Sequence, residues 1–239
     1  MNKLVGIILL FTIPSFGQQL PLSPLEEEAK TNKRLLPRYG LLPKSQAELS
    51  ADKQFVEETL KYPQFNGDHR AASNHLISLG FNYLYKQDLR TAMYRFNQAY
   101  LLDSTNTDIY WGYGAFYMRL GNYEEAKSQY MAGLSINPDN THLLTDMSAY
   151  FLSQYYVLER AGLQRGAMQN VETALSYLTK SFSIDNTDQN TAHKLAVCYW
   201  LKEDCKNAWK YYDRCKELGG QSITEKFTND LNARCKRKK

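Results

Sequence analysis

Four histidines and four cysteines are the side chains of this sequence best suited to bind a metal or transfer a proton. The histidines stand at positions 69, 75, 142 and 193, and no two form a His-x-x-x-His pair, which would place both rings on one helical face. The cysteines stand at positions 198, 205, 215 and 235, without the Cys-x-x-Cys spacing of zinc ribbons and thioredoxin-type redox sites. We therefore predict no metal site and no cofactor.

A nucleotide site or a catalytic centre has equally little support. Gly112-Tyr113-Gly114 matches the start of a dinucleotide-binding fingerprint, but the third glycine is missing and no strand precedes it. The sequence contains neither a nucleophile elbow nor a phosphate-binding loop. A hydrolase that uses His142, Asp146 or His193 stays open as an alternative, although no base and nucleophile are suitably spaced. We predict that the protein is not an enzyme.

The composition is that of a folded globular protein. Of 239 residues, 43% are hydrophobic and 23% charged, with 13 glycines and 7 prolines, which excludes collagen-like and disordered chains. The formal net charge is +4, but Lys3 and the basic tail 236–239 account for five of the 29 basic residues. The other 24 face 25 acidic residues, so the body is near neutral. The basic tail is a candidate contact for acidic lipid or nucleic acid, but a solvated chain end is the favoured interpretation, and we predict no nucleic-acid partner.

The first 17 residues have the three-part pattern of a secretory signal peptide. Lys3 precedes the apolar run Leu4 to Phe16, and Ser15 and Gly17 provide small residues before a cleavage point. An uncleaved anchor or a buried first helix is the alternative interpretation. The ending Phe-Gly-Gln-Gln resembles signal-peptide ends common in the Bacteroidetes. We predict an exported protein, in a Gram-negative periplasm or secreted, with no membrane-spanning segment after cleavage.

Two segments follow before the pattern becomes regular. Residues 18–44 are rich in proline and leucine, and we predict an extended arm there, because proline lacks an N–H and restricts its predecessor. The acidic stretch 26–30 between the prolines is a candidate short helical turn. The apolar strip 35–43 of this arm is a candidate ligand from within the same chain, lying along the groove of the following repeats or along the first repeat. A flexible linker is the alternative interpretation. Residues 45–62 have the apolar periodicity of an N-terminal helix.

From residue 71 onward the chain repeats itself. Small residues and aromatics recur 34 positions apart, as in Gly80 and Gly114 or Tyr83 and Tyr117. The pattern of each unit predicts two antiparallel helices. The small residues allow these two helices to approach closely. Four polar residues stand where each second helix should begin and are candidate N-caps: Asp88, Asn122, Asn170 and Asp204.

This pattern resembles the tetratricopeptide repeat (TPR) family over roughly residues 73–220. The resemblance implies an all-α, right-handed solenoid of helix-turn-helix repeats with an N-terminal helix and a C-terminal capping helix. The predicted array spans 63–220, with units near 73–106, 107–140, 141–188 and 189–220. The third unit departs from the pattern by an insertion at 155–168, which projects from the edge of the solenoid if both helices lengthen.

In this family the first helices of successive units line a concave groove that binds a peptide or partner protein. Carried over position by position, the resemblance implies the following groove residues: Asn74, Ile77, Phe81, Tyr85, Asp108, Trp111, Met118, Arg119, His142, Thr145, Ser153, Asn190, His193, Val197 and Trp200. Some of these, Phe81, Val197 and Trp200 among them, are alternatively packed core residues. The oligomeric state is not determined by the sequence.

After Gly219-Gly220, apolar residues recur every four positions and predict a capping helix at 221–235. Four cysteines allow three pairings, and an antiparallel cap would bring the ends at Cys205 and Cys235 together, so we favour that disulfide. Cys198 and Cys215 are then buried thiols. The predicted function is an exported interaction scaffold or assembly factor; a glycan- or peptidoglycan-binding module using Trp111 and Trp200 is the alternative.

Overall fold

The computed structural model describes residues 23–237, which form eleven α-helices and two short 3₁₀ helices, with no strand in that range. Before the repeats come α1 (Pro24–Ala29), the 3₁₀ helices Lys33–Leu35 and Pro37–Leu41, and α2 (Gln46–Leu60). The repeats comprise α3 (His69–Tyr85), α4 (Leu89–Leu102), α5 (Asp108–Leu120), α6 (Tyr123–Ile136), α7 (Thr141–Arg160), α8 (Gln164–Ile184), α9 (Gln189–Leu201) and α10 (Cys205–Glu217). The last helix is α11 (Glu225–Arg234).

The eight helices from α3 to α10 pair as four hairpins, each of which stacks on the next. The all-α solenoid predicted from the repeat pattern is therefore confirmed. The signal-peptide prediction for residues 1–17 lies outside the described residues, as do the arm's first residues and the last two of the basic tail. Between residues 23 and 237, no helix combines the length and apolar character needed to span a membrane.

Three of the four predicted N-caps start their helices. Asp88, Asn122 and Asp204 each accept a hydrogen bond from the backbone N–H three residues further on. Asn170 does not: α8 begins at Gln164, so Asn170 lies inside the helix and donates its Nδ2 to the Gly166 carbonyl at 3.0 Å. The insertion lengthens α8 at its N-terminal end, which moves the helix start upstream of the position that the repeat pattern indicates.

The insertion extends both helices of the third hairpin. α7 has 20 residues and α8 has 21, whereas α9 and α10 have 13 each. Near its tip, Leu158 contacts α8, while Tyr156, Val157 and Leu163 stay exposed. The longer hairpin therefore packs on itself and also presents apolar side chains at its end.

In the first two hairpins, small residues on the first helix face large rings on the second. A methyl group added at Gly80 would overlap the ring of Phe96, and one added at Gly114 would overlap the ring of Tyr130. Both rings are almost fully buried. Because interiors are close-packed, these glycines set the distance between the two helices of units one and two.

The substitution Gly114→Ala should therefore destabilise the protein, although alanine favours helices. We expect the free energy of unfolding to fall by about 2 kcal/mol, since the added methyl forces the buried Tyr130 ring to shift. Gly166→Ala in α8 is the matched control, because its Cβ would meet only Leu158 Cδ1 at 3.4 Å. That change should stabilise by about 0.5–1 kcal/mol. Urea unfolding measures the change in stability of both variants. Equal changes would contradict the conclusion that Gly114 sets the distance between the two helices.

The capping helix α11 closes the last hairpin. Its Phe227 and Leu231 pack with Ala196 and Tyr212 of the fourth unit. The predicted Cys205–Cys235 disulfide is present, with Cα atoms 5.2 Å apart, and Cys198 and Cys215 are free and buried, as expected. Next to the disulfide, Trp209 donates its indole N–H to the Cys235 carbonyl at 2.6 Å.

The N-terminal arm differs from the prediction. It is folded rather than extended, because Pro24 and Pro37 occupy the first turns of helices, where the missing N–H costs nothing. It packs on α4 and reaches Tyr110 and Tyr113, which lie on the face of α5 opposite Trp111. The arm therefore lies on the outer side of the first two repeats. Of the two predicted positions, it occupies the one on the first repeat, and the hypothesis that it occupies the groove is wrong.

Candidate functional site

The first helices of the four units, α3, α5, α7 and α9, line a concave groove of about 540 Å³. This volume falls within the range of about 300–1,000 Å³ that is typical of ligand pockets. The groove is lined by Phe81, Leu84, Tyr85, Trp111, Ala115, Met118, Arg119, Tyr130, His142, Thr145, Asp146, Ala149, Asp188, Asn190 and Lys194.

A row of aromatic rings crosses one side of the groove. The Phe81 ring from α3 lies 3.9 Å, centroid to centroid, from the Trp111 indole on α5. On the other side, the His142 ring from α7 stacks on the same indole at 4.3 Å, with an interplanar angle of 13°. Since α5 lies between α3 and α7, Trp111 is held by neighbours from both adjacent repeats.

Polar contacts fix the same indole along its edge. Trp111 donates its Nε1–H to Asp146 Oδ2 at 2.8 Å, and Asp146 also forms an ion pair with Lys194 of α9 at 3.6 Å. The three side chains therefore connect α5, α7 and α9 across the groove. Because Asp146 already has two partners, it offers a bound ligand little free charge.

A second polar cluster lies where α5 and α7 begin. Asp108 accepts a hydrogen bond from Asn140 at 2.7 Å, and His142 Nδ1 lies 3.2 Å from the same carboxylate oxygen. Burial tends to raise the pKa of Asp108, but its hydrogen bonds with His142 and Asn140 outweigh this and lower the pKa. The hydrogen bond to Asp108 raises the pKa of His142, against the opposing effect of burial.

The rim at the C-terminal ends of α3 and α5 is the most accessible part of the groove. Tyr85 is 71% exposed, which is high for a large aromatic side chain. Next to it along the groove come the half-buried Met118 and the exposed Arg119. Within residues 23–237, Arg119 forms no ion pair, whereas Lys194 and His142 each have a carboxylate partner.

Of the predicted groove residues, eight line the groove: Phe81, Tyr85, Trp111, Met118, Arg119, His142, Thr145 and Asn190. Two other predicted residues lie at the edge of the groove. Asn74 accepts a hydrogen bond from Asn106 at 2.7 Å, and Asp108 contacts His142. Ile77, by contrast, is 4% exposed and belongs to the hydrophobic core.

The far end of the predicted groove is covered by α11. Phe227 packs edge-on against both His193 and Trp200, and Arg234 lies 4.5 Å over the Trp200 ring. Burial, reinforced by Lys194, lowers the pKa of His193. Placing His193 and Trp200 in the open groove is therefore a wrong prediction. The residue pattern of α9 is that of a groove helix, but the cap occupies its surface.

Seven lining residues are absent from the predicted set: Leu84, Ala115, Tyr130, Asp146, Ala149, Asp188 and Lys194. Asp146 is predicted only as a catalytic alternative. The repeat register contained a signal for the two alanines, because Phe81, Ala115 and Ala149 are successive members of one series with a spacing of 34. Small residues are rarely considered as binding residues, but their size determines where the floor of the groove is low.

The arrangement is suited to binding. The buried hydroxyl of Thr145 lies 2.9 Å from Ser181 Oγ and 2.6 Å from Thr191 Oγ1, within hydrogen-bond distance of both and of no base. In the described part of the chain, no three His, Cys, Asp or Glu side chains cluster as metal ligands do. What the groove offers is aromatic surface, a low floor and an accessible guanidinium.

The family model for the tetratricopeptide repeat matches residues 83–145, from the end of α3 to the start of α7. Residues 83–145 therefore have the sequence pattern of the tetratricopeptide repeat. They include Trp111, His142 and the rim but not Phe81, and the remaining hairpins continue the same register and packing. No curated protein matches the sequence.

Several solved structures of low sequence identity align with much of the chain. A crystal structure of MamA is 14% identical, with a TM-score of 0.45, covering 73% of this chain and 96% of that one. YrrB, described as a TPR protein with an unusual peptide-binding site, is 15% identical, with a TM-score of 0.41 and coverages of 88% and 97%. PilF of Pseudomonas aeruginosa is 19% identical, with a TM-score of 0.35 and coverages of 64% and 79%.

Proposed function

We propose that this TPR protein is an interaction scaffold that binds a segment of a partner protein in the concave groove, without catalysis. The observation that carries the proposal is the accessible rim, where Tyr85, Met118 and Arg119 are presented together. Aromatic, methionine and arginine side chains are enriched in binding interfaces. A monomer gains nothing from leaving Tyr85 71% exposed, whereas a partner covering it would bury a large apolar ring.

A protein segment suits this groove better than a glycan. Sugar rings stack on open aromatic faces, and both indoles considered for this role are engaged. Trp111 contacts Phe81 and His142, and Trp200 is covered by Phe227 and Arg234. The exposed rim, with one phenol ring and one thioether, is better matched to apolar side chains.

We also propose that the scaffold works outside the cytoplasm, in the periplasm of a Gram-negative bacterium or secreted. The three-part pattern of residues 1–17 supports this location. The Cys205–Cys235 disulfide agrees with an oxidising compartment, because cytosolic thiols are kept reduced. Fractionation of cells that express the full chain, followed by N-terminal sequencing, tests it; a cytoplasmic protein that retains Met1 would contradict export.

The scaffold proposal is tested with Met118→Glu. A charge among apolar rim contacts should reduce partner binding about tenfold or more. Met131→Glu is the matched control, since Met131 is 55% exposed on α6, outside the groove. For the measurement, a photo-crosslinking amino acid is placed at position 85 in cells, and the crosslinked proteins are identified by mass spectrometry.

We expect one protein partner to crosslink from position 85, to persist in Met131→Glu and to disappear in Met118→Glu. Crosslinks that are equal in both variants, or that form equally from a crosslinker at position 131, would contradict binding in the groove. Circular dichroism of both variants establishes that neither is unfolded.

A further inference from the structure

The floor of the groove drops between the first and third repeats. In the series with a spacing of 34, Phe81 occupies the first position and Ala115 and Ala149 the next two. The Phe81 ring fills its own position by packing on Phe96 and Trp111. The two alanines leave the corresponding space above α5 and α7 open, and both line the cavity. We call this space the alanine pocket.

The walls of the alanine pocket differ in character. On one side, Trp111 and Asp146 are held in place by their mutual hydrogen bond. On the other side, toward the rim, Met118 and Tyr85 provide flexible thioether and exposed ring surface. A pocket with a small-residue floor, a rigid aromatic wall and an adaptable wall suits one large apolar side chain.

Each charged side chain of the groove has a polar partner, with one exception. Asp146 pairs with Lys194, and Asp108 pairs with His142. Asp188 caps α9, accepting from the backbone N–H groups of Asn190 and Thr191. Arg119 is the one charged lining residue without such a partner in residues 23–237. Its guanidinium lies on α5 one helical turn from Ala115, so it stands next to the alanine pocket.

From these features we infer that the groove binds an extended peptide segment whose large apolar side chain enters the alanine pocket while an adjacent acidic residue pairs with Arg119. This inference rests on the proposed function and specifies the partner's chemistry. Arginine and carboxylate form charge-assisted, often bidentate hydrogen bonds, which fix orientation as well as adding affinity. The apolar anchor supplies burial, and the acidic residue fixes the direction and register of the segment.

The test is selection of a displayed library of random heptapeptides on the immobilised full chain. Wild-type protein should enrich sequences with Leu, Phe or Met within two positions of Asp or Glu. The Arg119→Glu variant should enrich Lys or Arg in place of the acidic residue. Arg165→Glu, at an exposed position of α8 outside the groove, should select the same sequences as wild type.

The alanine pocket is tested with the best wild-type peptide, synthesised with a fluorescent label. Ala149→Leu and, independently, Ala115→Leu should weaken its binding about tenfold or more, because either leucine fills the pocket. Ala47→Leu on the exposed surface of α2 is the matched control and should leave binding unchanged. Circular dichroism and thermal melting accompany each variant, and two pocket variants are used in case one fails to fold.

The outcomes separate this inference from the proposed function. Enriched peptides without an acidic residue, or an unchanged selection by Arg119→Glu, would overturn the inference while peptide binding stands. Full affinity in both folded pocket variants would overturn it as well. If wild-type protein enriches no sequence at all, peptide binding in the groove fails together with the inference.

Discussion

Replacing Asn97 by alanine should lower the free energy of unfolding by about 4 kcal/mol and release the N-terminal arm. Asn97 is buried on α4, and its amide makes four hydrogen bonds. Oδ1 accepts from the Arg38 backbone N–H at 2.8 Å and from the Tyr113 hydroxyl at 2.7 Å. Nδ2 donates to the carbonyls of Arg34 and Leu36, each at 2.9 Å.

The expected loss of about 4 kcal/mol follows from the hydrogen bonds that the Asn97 amide makes. Each hydrogen bond contributes about 0.5–1.5 kcal/mol, and the buried groups left unpaired add a desolvation cost. The arm also holds Arg38, Tyr39 and Leu41 at φ values of 53°, 56° and 54°, a left-handed conformation that non-glycine residues rarely adopt. Without Asn97, the segment around Arg38 loses the hydrogen bonds that hold it in this strained conformation, so we expect this segment to detach.

Urea unfolding and limited proteolysis measure the two parts of the prediction. Asn97→Ala should lower the unfolding midpoint and make the arm cleavable by trypsin at Arg34 and Arg38. Asn82→Ala is the control, because Asn82 is exposed on α3 and should contribute less than about 0.5 kcal/mol. A loss below 1 kcal/mol in Asn97→Ala, or an arm that stays protected, would show that the amide is not the attachment point.

Loss of the disulfide should be the second large effect. Cys235→Ser removes a link between positions 30 residues apart, and we expect stability to fall by about 3 kcal/mol. The link restricts the unfolded chain, and it also holds α11 over Trp200 and His193 in the folded one. Detachment of α11 should therefore raise the solvent exposure of Trp200.

Unfolding with and without a reducing agent measures this effect. Wild-type protein should lose about 3 kcal/mol on reduction, whereas Cys235→Ser should be insensitive to it. That insensitivity serves as the control once Cys205, which the substitution leaves without its partner, is blocked by alkylation, since the other thiols Cys198 and Cys215 are unpaired and buried. Rapid alkylation of Cys205 in native, unreduced protein would show that the disulfide does not form.

Local and periodic features of the fold could be predicted from the sequence. The series that contains Gly80 and Gly114 located the helix pairs, because a residue that must be small recurs wherever two helices touch. Asp88, Asn122 and Asp204 located helix starts, because an N-cap bonds within three residues of itself. Such features depend on neighbours close in sequence or on the repeat spacing.

Features that depend on distant segments could not be predicted in the same way. The arm's position is determined by Asn97, which lies 59 residues from Arg38 and belongs to no repeat signature. His193 and Trp200 have groove-like positions in their repeat, and only the packing of α11 removes them from the open surface. Asn170 resembles an N-cap because the pattern does not show at which end an inserted segment extends a helix.

For this protein the sequence by itself determined the repeat type, the helix order and the Cys205–Cys235 pairing as the favoured of three. The tertiary structure decided which part of the groove is open and which side chains define it. The reason is physical: helix periodicity and capping arise between near neighbours, whereas exposure is a property of the whole surface. The low floor at Ala115 and Ala149, and an Arg119 without an ion-pair partner among residues 23–237, become visible only once the partners of the other groove residues are known.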